Sequence, residues 1–521
     1  MNHAPIVPVI LPALVAALML IDRRIGSQRA LAWLSAVLLA GCSAWMLVLA
    51  ADGWRSVYLV GNWAAPSGIV LVADRLSVLM VGLTSLLALI TLASSVQSGW
   101  DSRGEHFHPL MQIQLMGLNG AFLTGDLFNL FVFFEALLIA SYGLLVHGDG
   151  SARIRAGLTT VALNLVGSAL FLIGASLLYG VTGTLNFADL ALRVSQLDGA
   201  GVTLAHTGAL LLLTVFCLKA AILPLGFWLP GTYGPAGPAV AALFAVMTKV
   251  GIYAVLRLFT LVFGNSAGAL AEVAFPWIVL PAAAGYLLAM FCSLAGTDLR
   301  KLASMLVMAS AAFLLIGIGR ASEASIAAAV YYLPHTTLSA AALFLVAGLV
   351  TRSRGERAGD RLVAGPAPLS PALVGGLFFV SAVAVAGMPP LGGFIGKAML
   401  LLSMLPDEGL PAAIGTIGWL WLIILAGSLF GLIALARAGS TLFWKSDGPT
   451  APDATTVGWR EALPAAIALA AVAGIAIGSA PLQRYAQATA QDLLQTDALI
   501  DEVLTTRPRP GPHQPSPQTF R

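Results

Sequence analysis

The chain has 521 residues, 58% of them hydrophobic and only 10% charged, with a mean hydropathy of +0.89. Soluble proteins carry about 25% charged residues, which excludes a water-soluble globular domain and indicates a polytopic, all-α membrane protein. The net charge of +3 is too small to suggest nucleic acid as a partner.

A helix needs about 20 apolar residues to cross the hydrocarbon core. The first apolar run, MNHAPIVPVILPALVAALML, lacks the basic start of a secretory signal, and Arg23 and Arg24 follow it instead. It reads as an uncleaved first helix with its N-terminus outside. Continuing along the chain, spans are expected near 4–21, 30–50, 68–96, 109–124, 127–147, 157–180, 205–229, 236–263, 271–295, 302–319, 324–350, 371–402, 413–436 and 461–480. Residues 483–506 are polar enough for one amphipathic surface helix, and 507–521 are Pro-rich and read as disordered.

Basic residues test the count, because loops on the cytoplasmic side are enriched in them. With fourteen spans and the N-terminus outside, cytoplasmic loops hold 15 of the 27, from Arg23, Arg24 and Arg29 through Arg103, Arg153, Arg155, Arg300, Lys301, Arg352, Arg354, Arg357 and Arg361 to Arg437, Lys445 and Arg460. Loops or helix ends on the other side hold Arg55, Arg75, Arg193 and Arg320. This predicts both termini outside.

Two spans contain helix breakers: Pro224 in the seventh, and Pro389 and Pro390 with Gly392 and Gly393 in the twelfth. Broken helices are tolerated at membrane depth where protein or water surrounds the freed backbone groups, and a matched pair points to an inverted repeat around an ion site. Spans 4–8 and 9–13 form two sets of five, the second upside down because five is odd. The expected divisions are 1–108 (spans 1–3), 109–263 (first repeat), 271–436 (second repeat), 437–480 (loop and span 14) and 481–521 (polar tail).

Of only five lysines, Lys219, Lys249 and Lys397 lie inside apolar stretches. Ionisable groups at membrane depth are rare and mark ion pathways and proton relays. Glu135, in TGDLFNLFVFFEALLIASYGL, is the one carboxylate near the middle of any predicted span. Paired with Lys219 at about 4 Å, it would contribute about 4 kcal/mol at an effective dielectric near 20, enough to control whether that amine holds its proton. Lys249 follows Thr248 with no acid nearby in sequence and suits a central relay. His335, beside Pro334, suits a further step, and Thr336, Thr337 and Ser339 can hold water between the amines. Asp74 and Asp126 lie near span ends, where they would cap helices or line entry points. Arg257 needs a carboxylate whose identity the sequence does not reveal. The other histidines, including His108 and His147, read as surface groups. Cys42, Cys217 and Cys292 are scattered and read as small core residues rather than disulfides or metal ligands. No P-loop, GxSxG or HExxH pattern appears, so no cofactor, hydrolysis or redox chemistry is expected; any cation ligands are unknown.

The stretches NGAFLTGDLFNLFVFFEALLIASYGLL, LKAAILPLGFWLPGTYGPAGPAVAALFAVMTKVGIYAVLR and GMPPLGGFIGKAML resemble the D subunit of Mrp-type (Mnh, Pha) multisubunit cation/proton antiporters, a family similar to the antiporter-like subunits of respiratory complex I. The resemblance, over roughly residues 70–435, implies fourteen helices with inverted five-helix repeats, broken helices seven and twelve, and key ionisable residues at Glu135, Lys219, Lys249 and Lys397. It implies assembly in a bacterial cytoplasmic membrane with A/B, C, E, F and G type subunits, exchanging Na⁺, K⁺ or Li⁺ for protons. Related subunits often carry a lysine a few residues after the eleventh-helix histidine; here that segment reads HTTLSAA. The expected function is a proton-translocating antiporter subunit. The alternative is a pumping subunit of a complex I-like dehydrogenase or membrane-bound hydrogenase, driven by electron transfer elsewhere.

Overall fold

The computed structural model describes residues 3–148, 150–405, 418–445, 449 and 451–508. Among them, twelve helices are long and apolar enough to cross a membrane. The chain runs α1 (Val7–Ile21), α2 (Ile25–Ala51), α3 (Arg75–Gln97), α4 (Phe107–Leu123), α5 (Leu127–Val146), α6 (Ser151–Thr182), a short α7 (Phe187–Val194) and α8 (Gly199–Lys219). There follow α9 (Leu229–Tyr233), α10 (Pro238–Phe244), α11 (Met247–Leu261), α12 (Phe275–Ser293), α13 (Leu299–Gly319) and α14 (Glu323–Arg354). The last are α15 (Pro371–Ala386), α16 (Gly392–Leu402), α17 (Gly418–Gly439), α18 (Trp459–Ile477), α19 (Ser479–Leu494) and α20 (Asp497–Thr505). At 17 residues α4 falls just short of the shortest of the twelve, the 18-residue Ala4–Ile21 that joins α1 to the turn before it, and α15 and α16 are short apolar helices.

Helix starts follow the expected chemistry. The Asp74 and Ser322 side chains close reciprocal caps with Ser77 and Ser325 at the starts of α3 and α14, and Asp126 and Asp298 accept from Asn129 N and Lys301 N. Burial then sorts the layers. The α10–α11 stretch and α13 are each 94% buried, whereas α2 and α18 are 33% buried along their most apolar stretch. With α14, the α10–α11 stretch and α13 form the centre, and α14 packs against α10, α13, α15, α16, α18 and α19. Outer helices meet through small residues: a Cβ on Gly174 of α6 would lie 3.1 Å from the Gly208 carbonyl of α8.

Several expectations are corrected. The third span does not begin at 68: Ser56–Leu59 (β1) and Val70–Ala73 (β2) form an antiparallel hairpin outside it, Ser56 opposite Ala73. Residues 483–506 are not one surface helix. They lie in α19 and α20, and α19 buries Ala486, Ala490 and Leu493 against the bundle, because its small apolar residues fit beside α14. His108 and His147 are not surface groups either: His108 is fully buried on Asp101 at 3.0 Å, and His147 binds the Trp100 carbonyl at 2.9 Å. The Pro-rich tail beyond 508 and residues 413–417 of the thirteenth span lie outside the described residues.

Candidate functional site

The three buried amines share one local feature: each sits at a discontinuity in its helix. Lys219 ends α8, and Ala220–Trp228, with Pro224, is non-helical before α9. The carbonyl end of a helix favours a cation, and the Trp228 indole donates to the Leu218 carbonyl at 3.3 Å. Ala221 takes a left-handed φ of 57° there. Lys249 lies in the first turn of α11, behind an interruption at Ala245–Val246. Lys397 lies in α16, after the break Gly387–Leu391 that contains Pro389 and Pro390.

Lys219 is 7% exposed. Its ammonium donates to Asn164 Oδ1 on α6 at 3.0 Å. One turn on, the Ser168 hydroxyl contacts both Glu135 Oε1 of α5 and the Asn164 carbonyl. Glu135 and Lys219 therefore form no direct ion pair, a correction to the sequence reading. Asn164 and Ser168, four residues apart and so on one face of α6, stand between them. Phe134, Phe171 and Phe216 pack together nearby. The half-buried carboxylate and the buried ammonium are thus held by two neutral side chains of α6, Ser168 on the acid and the Asn164 amide on the amine, linked through the Asn164 backbone.

Lys249 is fully buried; its ammonium donates to Thr248 Oγ1 at 3.3 Å and to Ser310 Oγ of α13 at 3.0 Å. The interruption beside it has no proline. Instead Tyr233 donates to the Phe244 carbonyl at 2.8 Å and Thr248 Oγ1 to the Ala245 carbonyl at 3.4 Å, replacing partners the ladder loses there.

Lys397 is 7% exposed and donates to the Ala386 carbonyl at 2.8 Å and to Ser428 Oγ of α17 at 3.0 Å. His335 Nε2 donates to Ala384 O at 3.0 Å, so histidine and lysine occupy neighbouring carbonyls at the frayed end of α15. Glycine is required around them. Gly387 has φ of 67°, and a Cβ there would lie 2.9 Å from Lys397 Cε; on Gly393 it would collide with His335 Nε2. Thr336 and Ser339 line a small cavity together with Ser310. Thr337 is not among its lining residues and donates to Leu333 O of its own helix at 2.8 Å.

Arg257 finds Asp74 across 183 residues, with Nη1 and Nη2 at 2.6 and 2.8 Å from its two oxygens. Burial alone would raise the Asp74 carboxyl, but the facing guanidinium and the Ser77 donors hold it below its ordinary value. A second buried acid, Asp101, takes a bidentate bond from Arg29 at 2.7 and 2.9 Å. Roomier cavities lie at the two ends of the bundle. One of about 600 Å³ gathers Trp100, Arg103, Arg153, Arg300 and Arg352; one of about 620 Å³ is lined by Arg55, Asn265 and Asp492. Among the described residues no cluster of three His, Cys, Asp or Glu side chains is placed to hold a metal. Sequence reading missed Asn164, Ser168, Ser310 and Ser428. Asn164 carried a signal, an amide inside the apolar run VALNLV; the serines, common in membrane helices, carried none.

Amines and an acid held by hydroxyls, an amide and broken-helix carbonyls inside a many-helix bundle define a multi-pass membrane protein with a polar interior. Residues 124–420 match the family described as "NADH:quinone oxidoreductase/Mrp antiporter, TM". The probable K⁺/H⁺ antiporter D subunit of Rhizobium meliloti is 41% identical over 98% of this chain and 99% of its own length. The Na⁺/H⁺ antiporter D subunit of Alkalihalophilus pseudofirmus is 34% identical over 97% of this chain and 100% of its own. A chain of the Mrp complex from Dietzia sp. DQ12-45-1b is 25% identical and superposes with a TM-score of 0.86, covering 97% of this chain and 100% of that one. A chain of the archaeal membrane-bound sulfane sulfur reductase shares the fold, with TM-score 0.85 at 19% identity over 97% of this chain and 100% of that one. The chain belongs to the NADH:quinone oxidoreductase/Mrp antiporter family, among its antiporter D subunits.

Proposed function

We propose that this chain is the proton-translocating D subunit of a multisubunit monovalent cation/proton antiporter. The observation that carries the reading is the Glu135–Ser168–Asn164–Lys219 link, an acid and an amine joined by neutral groups inside the bundle. A proton reaching Lys219 under the control of Glu135 passes through Lys249 and the region around His335 to Lys397. Ionisable groups buried at helix breaks are where ion sites lie in transporters built from repeats.

Counting α4 as one span, and α15 with α16 as one broken span, gives fourteen. The proposed repeats are then 109–263 and 271–436, preceded by 1–108 and followed by 437–480 and the tail from 481. In support, Arg103, Arg153, Arg300 and Arg352 from four separate loops or helix ends line one cavity, on the face assigned to the cytoplasm. That orientation puts both termini outside a bacterial cytoplasmic membrane. The partners are the remaining membrane subunits of the antiporter, of A/B, C, E, F and G type, and the cation is Na⁺, K⁺ or Li⁺. The respiratory complexes share the fold; the D-type relatives spanning nearly the whole chain favour antiport.

In everted vesicles containing the whole complex, Glu135→Ala and Lys219→Ala are each expected to reduce cation-driven proton exchange to background while the complex assembles at normal abundance. Near-normal exchange in either variant would discard the assignment.

A further inference from the structure

The chain lacks the lysine that related subunits often place after the eleventh-helix histidine, and His335 does not fill the gap. It binds only the Ala384 carbonyl through Nε2, and its Nδ1 has no partner among the described residues. A different set of hydroxyls spans the distance. Lys249 donates to Ser310 Oγ at 3.0 Å. Ser310 lines a small cavity of about 10 Å³, bordered by Thr336, Ser339, Tyr332 and Tyr286. That is about the space of one water, with the several polar neighbours a buried water needs. Tyr286 of α12 is 1% exposed; its hydroxyl lies 3.0 Å from Ser428 Oγ and also 3.3 Å from the Ile424 carbonyl, as a donor. Ser428 in turn accepts from Lys397 at 3.0 Å.

We propose that Tyr286 and Ser428 are relay residues that carry the proton between Lys249 and Lys397, through one water held in the cavity beside Ser310, Thr336 and Ser339. The proposal rests on the lysine relay given above and specifies its middle step. The Lys249 ammonium gives a proton to Ser310 Oγ, whose own proton turns from the Val307 carbonyl, 2.7 Å away, to the water. The water passes one to Tyr286 Oη, Tyr286 to Ser428 Oγ, and Ser428 to the neutral Lys397 amine. Every oxygen gains one proton and loses one, so only the two amines change charge. A hydroxyl suits each position because it both donates and accepts. Placement of the ring has its own device: a Cβ on Gly427 would collide with Tyr286 Cε1, so glycine on α17 leaves room for the tyrosine.

The test measures initial rates of cation/proton exchange in everted vesicles containing the whole complex. Tyr286→Phe, which keeps the ring and removes the hydroxyl, and Ser428→Ala should each slow exchange at least tenfold at normal complex abundance. Ser428→Thr, which restores a hydroxyl, should recover the rate, and Gly427→Ala should imitate Tyr286→Phe by displacing the ring. The solvent deuterium isotope effect should be larger in Tyr286→Phe than in wild type and return to the wild-type value in Ser428→Thr, a readout that packing alone would not move. Near-normal exchange in Tyr286→Phe, with Lys397→Ala inactive, overturns this step and leaves the relay standing. Near-normal exchange in both Lys249→Ala and Lys397→Ala overturns the relay itself. Poor assembly of Tyr286→Phe with full activity of Ser428→Ala also overturns the proposal, making the tyrosine a packing element.

Discussion

The buried pair Asp74–Arg257 lets the cost of a broken ion pair be measured apart from transport. Asp74→Asn is the chosen change because asparagine also caps helices well, so the bond to Ser77 N at 2.9 Å can persist while the charge is lost. Arg257, 4% exposed, would then keep its charge facing a neutral amide and the Tyr253 hydroxyl at 3.1–3.2 Å. With charge centres about 4 Å apart and an effective dielectric of about 20, the lost attraction is about 4 kcal/mol. That falls within the roughly 3–5 kcal/mol seen when one partner of a buried pair is removed. Replacing both members with neutral groups should be far less costly, so Asp74→Asn/Arg257→Met should recover most of the loss, a coupling of about 3 kcal/mol. Thermal unfolding of the detergent-purified complex, with abundance in membranes as a second readout, measures it. The Asp74 carboxyl is held below its unfolded value of about 3.9. Its contribution is therefore present above that value and is lost only as pH falls through the lower folded one. Wild type and Asp74→Asn should differ throughout pH 5–9 and converge only in strong acid. Equal melting temperatures near neutral pH, or a double variant as weak as the single one, would refute the reasoning.

Two further expectations concern the site. Asn164→Leu removes the acceptor that holds the Lys219 ammonium and should lower exchange in everted vesicles at least tenfold, with Ser168→Ala intermediate; a wild-type rate for Asn164→Leu would make the bridge incidental. Gly393→Ala drives a methyl against the His335 ring and should cost about 1–3 kcal/mol through overpacking. The melting temperature should fall, and His335→Ala in the same chain should restore it; no change in the single variant would mean the ring can yield.

How far the sequence carried depended on the range of the interaction. Long apolar runs, the Pro224 and Pro389–Pro390 breaks and the isolated lysines are local signals, legible because the bilayer penalises every exception to apolar helix. The interruption before Lys249 was not legible, since no proline or glycine stands at Ala245–Val246 and the tyrosine that satisfies Phe244 O comes from a neighbouring helix. The β-hairpin was hidden because VLVA reads equally well as strand or as apolar helix. Arg257 was legible as needing an acid, but its partner lies 183 positions away. The direct Glu135–Lys219 pair was wrong for a similar reason: spacing along the chain cannot reveal a third helix, α6, with Asn164 and Ser168 between them.

Among the described residues, Lys249 and Lys397 have only hydroxyl and carbonyl oxygens as hydrogen-bond partners, with no anion beside them. In the proposed relay, each proton that one of these amines captures therefore adds an uncompensated unit charge inside the low-dielectric slab. A voltage across the bilayer does work on that charge, up to about 2.3 kcal/mol per 100 mV for a full crossing. On that proposal, loading the interior is an electrical event, and clamping the membrane at different voltages should change its occupancy even with the pH on both sides held constant.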